Sequence, residues 1–179
     1  GLGDVYKRQL NDFAGALTLA QAHLETAAAA EIDGSMAYAY AADASLLVGD
    51  PANAIVHAEA AMASDAEAGK SAHSSAAWTA GVAAWQLGRA EALESSAATC
   101  TGPQKDALKA LVAVHRGDVE TARLQFPPSG LSGQHAAQVF GVAATIDAAN
   151  AGAWYDKAIQ GADASGIDAL RVTTRLEKE

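Results

Sequence analysis

The sequence predicts an all-α chain built from about four to five antiparallel helical hairpins. Three observations lead there. Half of the 179 residues are apolar, many of them Ala, yet only 6% are aromatic, and strand-favouring residues are scattered rather than clustered. Segment after segment places its apolar residues at spacings of three and four, the period of a helix face. Between these segments a short turn element returns: NDFAGA from Asn11, GDPANA from Gly49, GRAEA from Gly88 and GDVETA from Gly117.

The clearest pair of helices lies in residues 35–68. Ser35 to Val48 holds no Pro and no Gly, and Ser35 is placed to cap its start. Gly49 follows where a left-handed residue closes a helix. Asp50 can then cap the next helix, with Pro51 in its first turn, where the missing N–H costs nothing. That helix is expected to run to about Ser64. Its Ala54, Ala58, Ala61 and Met62 form one stripe, and the first helix offers Tyr38, Ala41, Ala42 and Ser45. So short a turn makes the two antiparallel. Small facing residues let the axes approach closely, but each buries little area, so one hairpin needs neighbours.

Residues 1–9, GLGDVYKRQ, differ from the rest and resemble an adapter-derived run-in, so they are expected to be non-native or disordered, with the chain a piece of a longer bacterial protein. Residues 10–126 hold the repeated helices. Asn11 to Ala30 is the first, with Leu10, Phe13, Leu17 and Leu24 along its seam and Asn11-Asp12 in the capping place. Glu67 to Ser75 reads as a flexible insertion. Ser75 to Leu87 and Arg89 to Thr99 form the next hairpin, and Pro103 to Arg116 and Val119 to Phe126 the one after. Pro127 and Pro128 stop the chain, and residues 127–134 are a linker. Residues 135–179 give a divergent hairpin, His135 to Ala148 and Ala151 to Ala162, with Val139, Phe140, Ile146, Trp154, Tyr155 and Ile159 as core, and a final capping helix from Ile167 to Leu176.

The turn elements lie 38, 39 and 29 residues apart, and the last two intervals total 68, twice 34. This period and helix–turn–helix content resemble the tetratricopeptide repeat, TPR. In the second unit Tyr38 takes the family's aromatic place, Ala42, Ala54 and Ala61 its small places, and Gly49-Asp50 its turn. Gly81 and Ala92 take small places in the third unit, with Trp78 one position off the aromatic place. Ala110, Ala122, Gly117-Asp118 and Phe126 match in the fourth. Tyr155-Asp156-Lys157-Ala158-Ile159 resembles the end of a last unit that lacks its turn Gly, and the first unit keeps only its second helix.

The resemblance implies a TPR-like α-solenoid, a scaffold that binds a protein or peptide on the concave face lined by the first helix of each unit. That face would carry Tyr40, Asp43 and Leu47, then Trp78, Val82, Trp85 and Gln86, then Leu111 and His115. Trp78 and Trp85 read either as partner anchors or as core filling space that Ala leaves. The Lys, Asn and Arg pattern that clamps a terminal carboxylate in chaperone-binding members is absent from these positions, so an apolar or mixed ligand is expected. Two other roles compete: a helical accessory or regulatory part of a larger enzyme or regulator, and a structural spacer.

Charge and motifs narrow the field further. Twelve basic against 21 acidic residues, net −9, argue against a nucleic-acid or anionic-lipid surface. No apolar run approaches the roughly 20 residues of a membrane helix, and the compartment, cytoplasm or periplasm, stays open. No two of His23, His57, His73, His115 and His135 are spaced by four, so no metal site is expected. Cys100 is the one cysteine and has no basic neighbour to activate it. Residues 130–133, GLSG, follow no strand and so make no phosphate loop. Asp43 and Asp147 each lack a second carboxylate at helical spacing. No catalytic or cofactor-binding residue is assigned, and the chain is not expected to be an enzyme.

Overall fold

A computed structural model describes residues 12–29, 34–71, 74–125 and 133–166. These hold nine α-helices, one 3-10 turn and no strand. The helices are α1 (Phe13–Ala29), α2 (Ser35–Leu47), α3 (Pro51–Glu67), α4 (Ser74–Gln86), α5 (Ala90–Thr99), α6 (Gly102–His115), α7 (Val119–Gln125), α8 (Gly133–Ile146) and α9 (Ala151–Ser165). A 3-10 turn, Ala148–Asn150, precedes α9. The chain packs as two units, Gly1–Cys100 and Thr101–Glu179. This divide falls at Thr101, just before α6. Most of the linker expected at 127–134, and the expected helix from Ile167, lie outside the described residues. Gln134 and Gly133 belong to α8.

The turns explain why the helices end where they do. Gly49, Gly88 and Gly117 have φ of +83°, +65° and +78°, a region that costs Gly least. In each turn the residue after Gly donates its N–H five residues back: Asp50 to Ser45 at 2.9 Å, Arg89 to Ala84 at 2.9 Å, Asp118 to Ala113 at 2.8 Å. This closes the helix with its last carbonyls satisfied. The same ending recurs at Gly69, with Lys70 bonded to Asp65 at 2.8 Å. Hence α3 runs to Glu67, about a turn beyond the expected Ser64, because its stop signal is Gly69 rather than the Ser and Asp before it.

Asp then opens the next helix. Asp50 Oδ1 accepts the Asn53 N–H at 3.1 Å, and Asp118 Oδ1 accepts that of Thr121 at 3.0 Å. Asp12 does the same for Gly15 at 2.9 Å. Arg89 sits in the equivalent place before α5 without a side-chain cap. Ser35 proves to be the first residue of α2 and buried; Gly34 holds the N-cap position, with Leu24 Cδ2 of α1 only 3.2 Å from where a Cβ would stand.

In the first unit each helix packs on the next, α1 on α2, α2 on α3, α3 on α4 and α4 on α5, and α2 also touches α4. The α2–α3–α4 junction is built of Ala39, Ala42, Ala58, Ala61, Ala76 and Ala80, with Tyr38 and Met62 against its edge. In the second unit α6 packs on α7, both touch α8, and α8 lies along α9. Ala110, Ala113, Ala122 and Ile146 form its buried centre. Gly161 of α9 faces the start of α8 so closely that a Cβ would come within 2.8 Å of Ala137 N and 3.0 Å of Gly133 O. Leu93, Leu108 and Val139 are among the largest fully buried side chains, so Ala fills much of the remaining interior.

Candidate functional site

The expected binding face divides into accessible and inaccessible parts. On α2, Tyr40, Asp43 and Leu47 are half-buried and share one stripe with Met36, which is 46% exposed. On α4, Trp78 is 2% and Val82 8% exposed, so both side chains belong to the packed interior. Trp85 is half-buried and Gln86 exposed at the end of the helix. On α6, Leu111 is buried and His115 exposed. The structure therefore gathers Tyr40, Asp43 and Leu47 on one surface. It places Leu111 and His115 in the other unit.

One polar contact joins the first helices of two successive hairpins. Thr79 Oγ1 of α4, nearly fully buried, donates to Asp43 Oδ1 of α2 at 2.5 Å. A hydrogen bond to a charged acceptor is stronger than a neutral one, and here it links residues 36 positions apart. Behind α2, the His57 ring of α3 lies 6.4 Å from that of Tyr38. Burial holds His57 below the ordinary imidazole range, with Asp50 partly opposing this.

The second unit carries a separate polar and aromatic cluster. Asp147 Oδ2 accepts from Asn150 Nδ2 at 2.9 Å and from the Trp154 indole N–H at 3.1 Å. These two bonds, with the charge of Arg123 adding, hold its carboxyl below the ordinary carboxylate range. The Trp154 ring stacks on Phe140 with centroids 6.0 Å apart, and Lys157 Nζ lies 4.4 Å from the Trp154 centroid. Arg123, Ala143, Ile146, Asp147 and Trp154 line a cleft of about 170 Å³.

Sequence alone places Phe140, Ile146 and Trp154 in the core and gives Asp147 no second carboxylate at helical spacing. What that reading missed is the tie between Asp147 and the indole seven residues on. A signal for part of it exists. Asp147-x-x-Asn150 repeats the spacing of Asp50-x-x-Asn53, and in both pairs the Asn side chain donates to the Asp carboxylate.

Among the described residues no group of three His, Cys, Asp or Glu side chains could hold a metal ion. No helix among them is long and apolar enough to cross a membrane. No protein-family model, curated protein or solved structure matches the chain.

Proposed function

We propose that this chain is a TPR-like helical-repeat scaffold that binds an extended peptide or partner helix along the first helices of its hairpins. The observation that supports this reading best is the direct contact of α2 with α4, tied by Thr79 and Asp43. Both helices pack against α3 and touch each other, so they sit side by side one repeat apart. That neighbour relation is what a stacked array of hairpins requires. The shared turn geometry at Gly49, Gly88 and Gly117 supports the same unit. The binding stripe is then Met36, Tyr40, Asp43 and Leu47 of α2, apolar with one carboxylate, which suits an apolar ligand carrying a basic residue.

A displayed random-peptide library panned on the protein tests this. Selected peptides should lose at least tenfold in affinity for a Met36→Glu, Leu47→Glu double variant whose helical circular dichroism is unchanged. Peptides that bind the double variant equally well would place the site elsewhere and refute the reading. The burial of Trp78 and Val82 favours a second reading, a structural spacer with no groove ligand. A library that returns no saturable binder would support it.

A further inference from the structure

The cleft of the second unit has a composition that a peptide-binding surface does not need. Its floor is apolar, Ala143 and Ile146, and the Trp154 indole forms one wall. Two opposite charges line it, Arg123 and Asp147. They are close enough for Arg123 to favour the Asp147 carboxylate, yet no ion pair joins them. Arg123 instead bonds Glu120 at 2.9 Å, an exposed i,i+3 pair of the kind that contributes little and gives way readily. Asp147 is firmly placed, because Asn150 and Trp154 both donate to Oδ2. A fixed acceptor and an adjustable guanidinium therefore share a cleft whose other walls are hydrocarbon and indole.

We propose that this cleft binds a small zwitterion with an apolar body, of the free α-amino-acid class. The ammonium lies against Asp147, the carboxylate takes the fork of Arg123, and the side chain lies on Ala143, Ile146 and the indole. The size supports a small ligand: about 170 Å³ lies below the ~300–1,000 Å³ of pockets that take drug-sized molecules. A ligand with only one of the two charges meets only one of the two charged walls and forgoes the other charge-assisted contact, so both ends contribute.

The probe is L-leucine, titrated into the whole protein and followed by the Trp154 indole N–H resonance, assigned with Trp154→Phe. The expected result is a saturable shift below about 10 mM. N-acetyl-L-leucine, which lacks the ammonium, and L-leucine methyl ester, which lacks the carboxylate, should each bind at least tenfold more weakly. Arg123→Ala should weaken leucine at least tenfold, and Glu120→Gln should leave it unchanged or tighter. Arg123 lies half-exposed on a surface helix, and an unchanged circular dichroism spectrum checks that the variant folds. No saturable shift, equal binding of the blocked derivatives, or unchanged binding to Arg123→Ala would each overturn the proposal.

Discussion

Replacing Gly161 with Ala should destabilise the second unit, although Ala is the better helix former. An added Cβ would stand 2.8 Å from Ala137 N, 3.0 Å from Ala136 Cβ and 3.0 Å from Gly133 O. Comfortable contacts of this kind lie near ~3.5–4.0 Å, so the shortfall is roughly half an ångström or more against three atoms of α8 at once. Two of the three atoms are backbone, so no rotamer change relieves them. The helices must move apart, and α8 and α9 lose contact along an Ala-rich seam. Overpacking of this sort costs ~1–3 kcal/mol, while the Gly→Ala gain within a helix returns up to ~1 kcal/mol. The net expectation is a loss of up to ~2 kcal/mol. Gly152, in the first turn of the same helix, is the control. Nothing lies within 4 Å of its added Cβ and its φ is not left-handed, so Gly152→Ala should gain up to ~0.5–1 kcal/mol. Urea unfolding followed by circular dichroism at constant slope measures both. The two midpoints should move in opposite directions. A Gly161→Ala protein stabilised as much as Gly152→Ala would refute the close approach of α8 to α9.

Arg89→Asp should raise the urea midpoint by the equivalent of about 1 kcal/mol, because it supplies α5 with the cap that α3 and α7 already have. Trp78→Ala should cost ~3–5 kcal/mol, the loss expected of a buried aromatic; an unchanged melting temperature would make it a surface residue after all. Acid should lower the stability of the fold in two stages. His57 has its native pKa held below the unfolded value by desolvation, so the unfolded state takes up its proton first, and stability begins to fall as pH drops below about 6.5. His57→Gln should remove that first stage. Asp50, Asp118 and Asp147 are held low chiefly by hydrogen bonds from Asn53, Thr121 and Asn150, so their contribution is present above the unfolded value near 3.8 and disappears below it. Thermal melts across pH 3–8 would show both stages.

The parts of the fold legible in the sequence were those set by backbone requirements. A left-handed stop followed by a carboxylate cap needs particular residues, and Gly49-Asp50 and Gly117-Asp118 announce it. The Ala stripe of α3 was equally readable, since Ala54, Ala58 and Ala61 all prove fully buried. The facing of α4 was not. From Ala76 to Ala84 every described side chain is buried, and a helix that is small and apolar all round gives no stripe to orient it. Trp78 and Val82 could thus be assigned to a groove on spacing while packing places them inside. Gly161 carried no message either, because a Gly inside a helix signals close approach only once the neighbouring helix is known. At the second-unit cleft, Trp154 was visible as a large apolar residue, but its hydrogen bond to Asp147 depends on how the 3-10 turn folds back.

In the first unit the principal packing joins helices one or two places apart along the chain. Such wiring shapes how the unit forms as well as what it is. Each contact closes only a short loop, so little chain entropy stands between collapse and pairing, and low contact order makes assembly fast. Structure can nucleate at the α2–α3–α4 junction and spread outward one helix at a time. Loss runs the other way. The outer helix α1, whose principal packing among the described residues is on α2 alone, should exchange its amide protons early, while α2 and α4, each packed on three helices, should protect theirs until the whole unit opens.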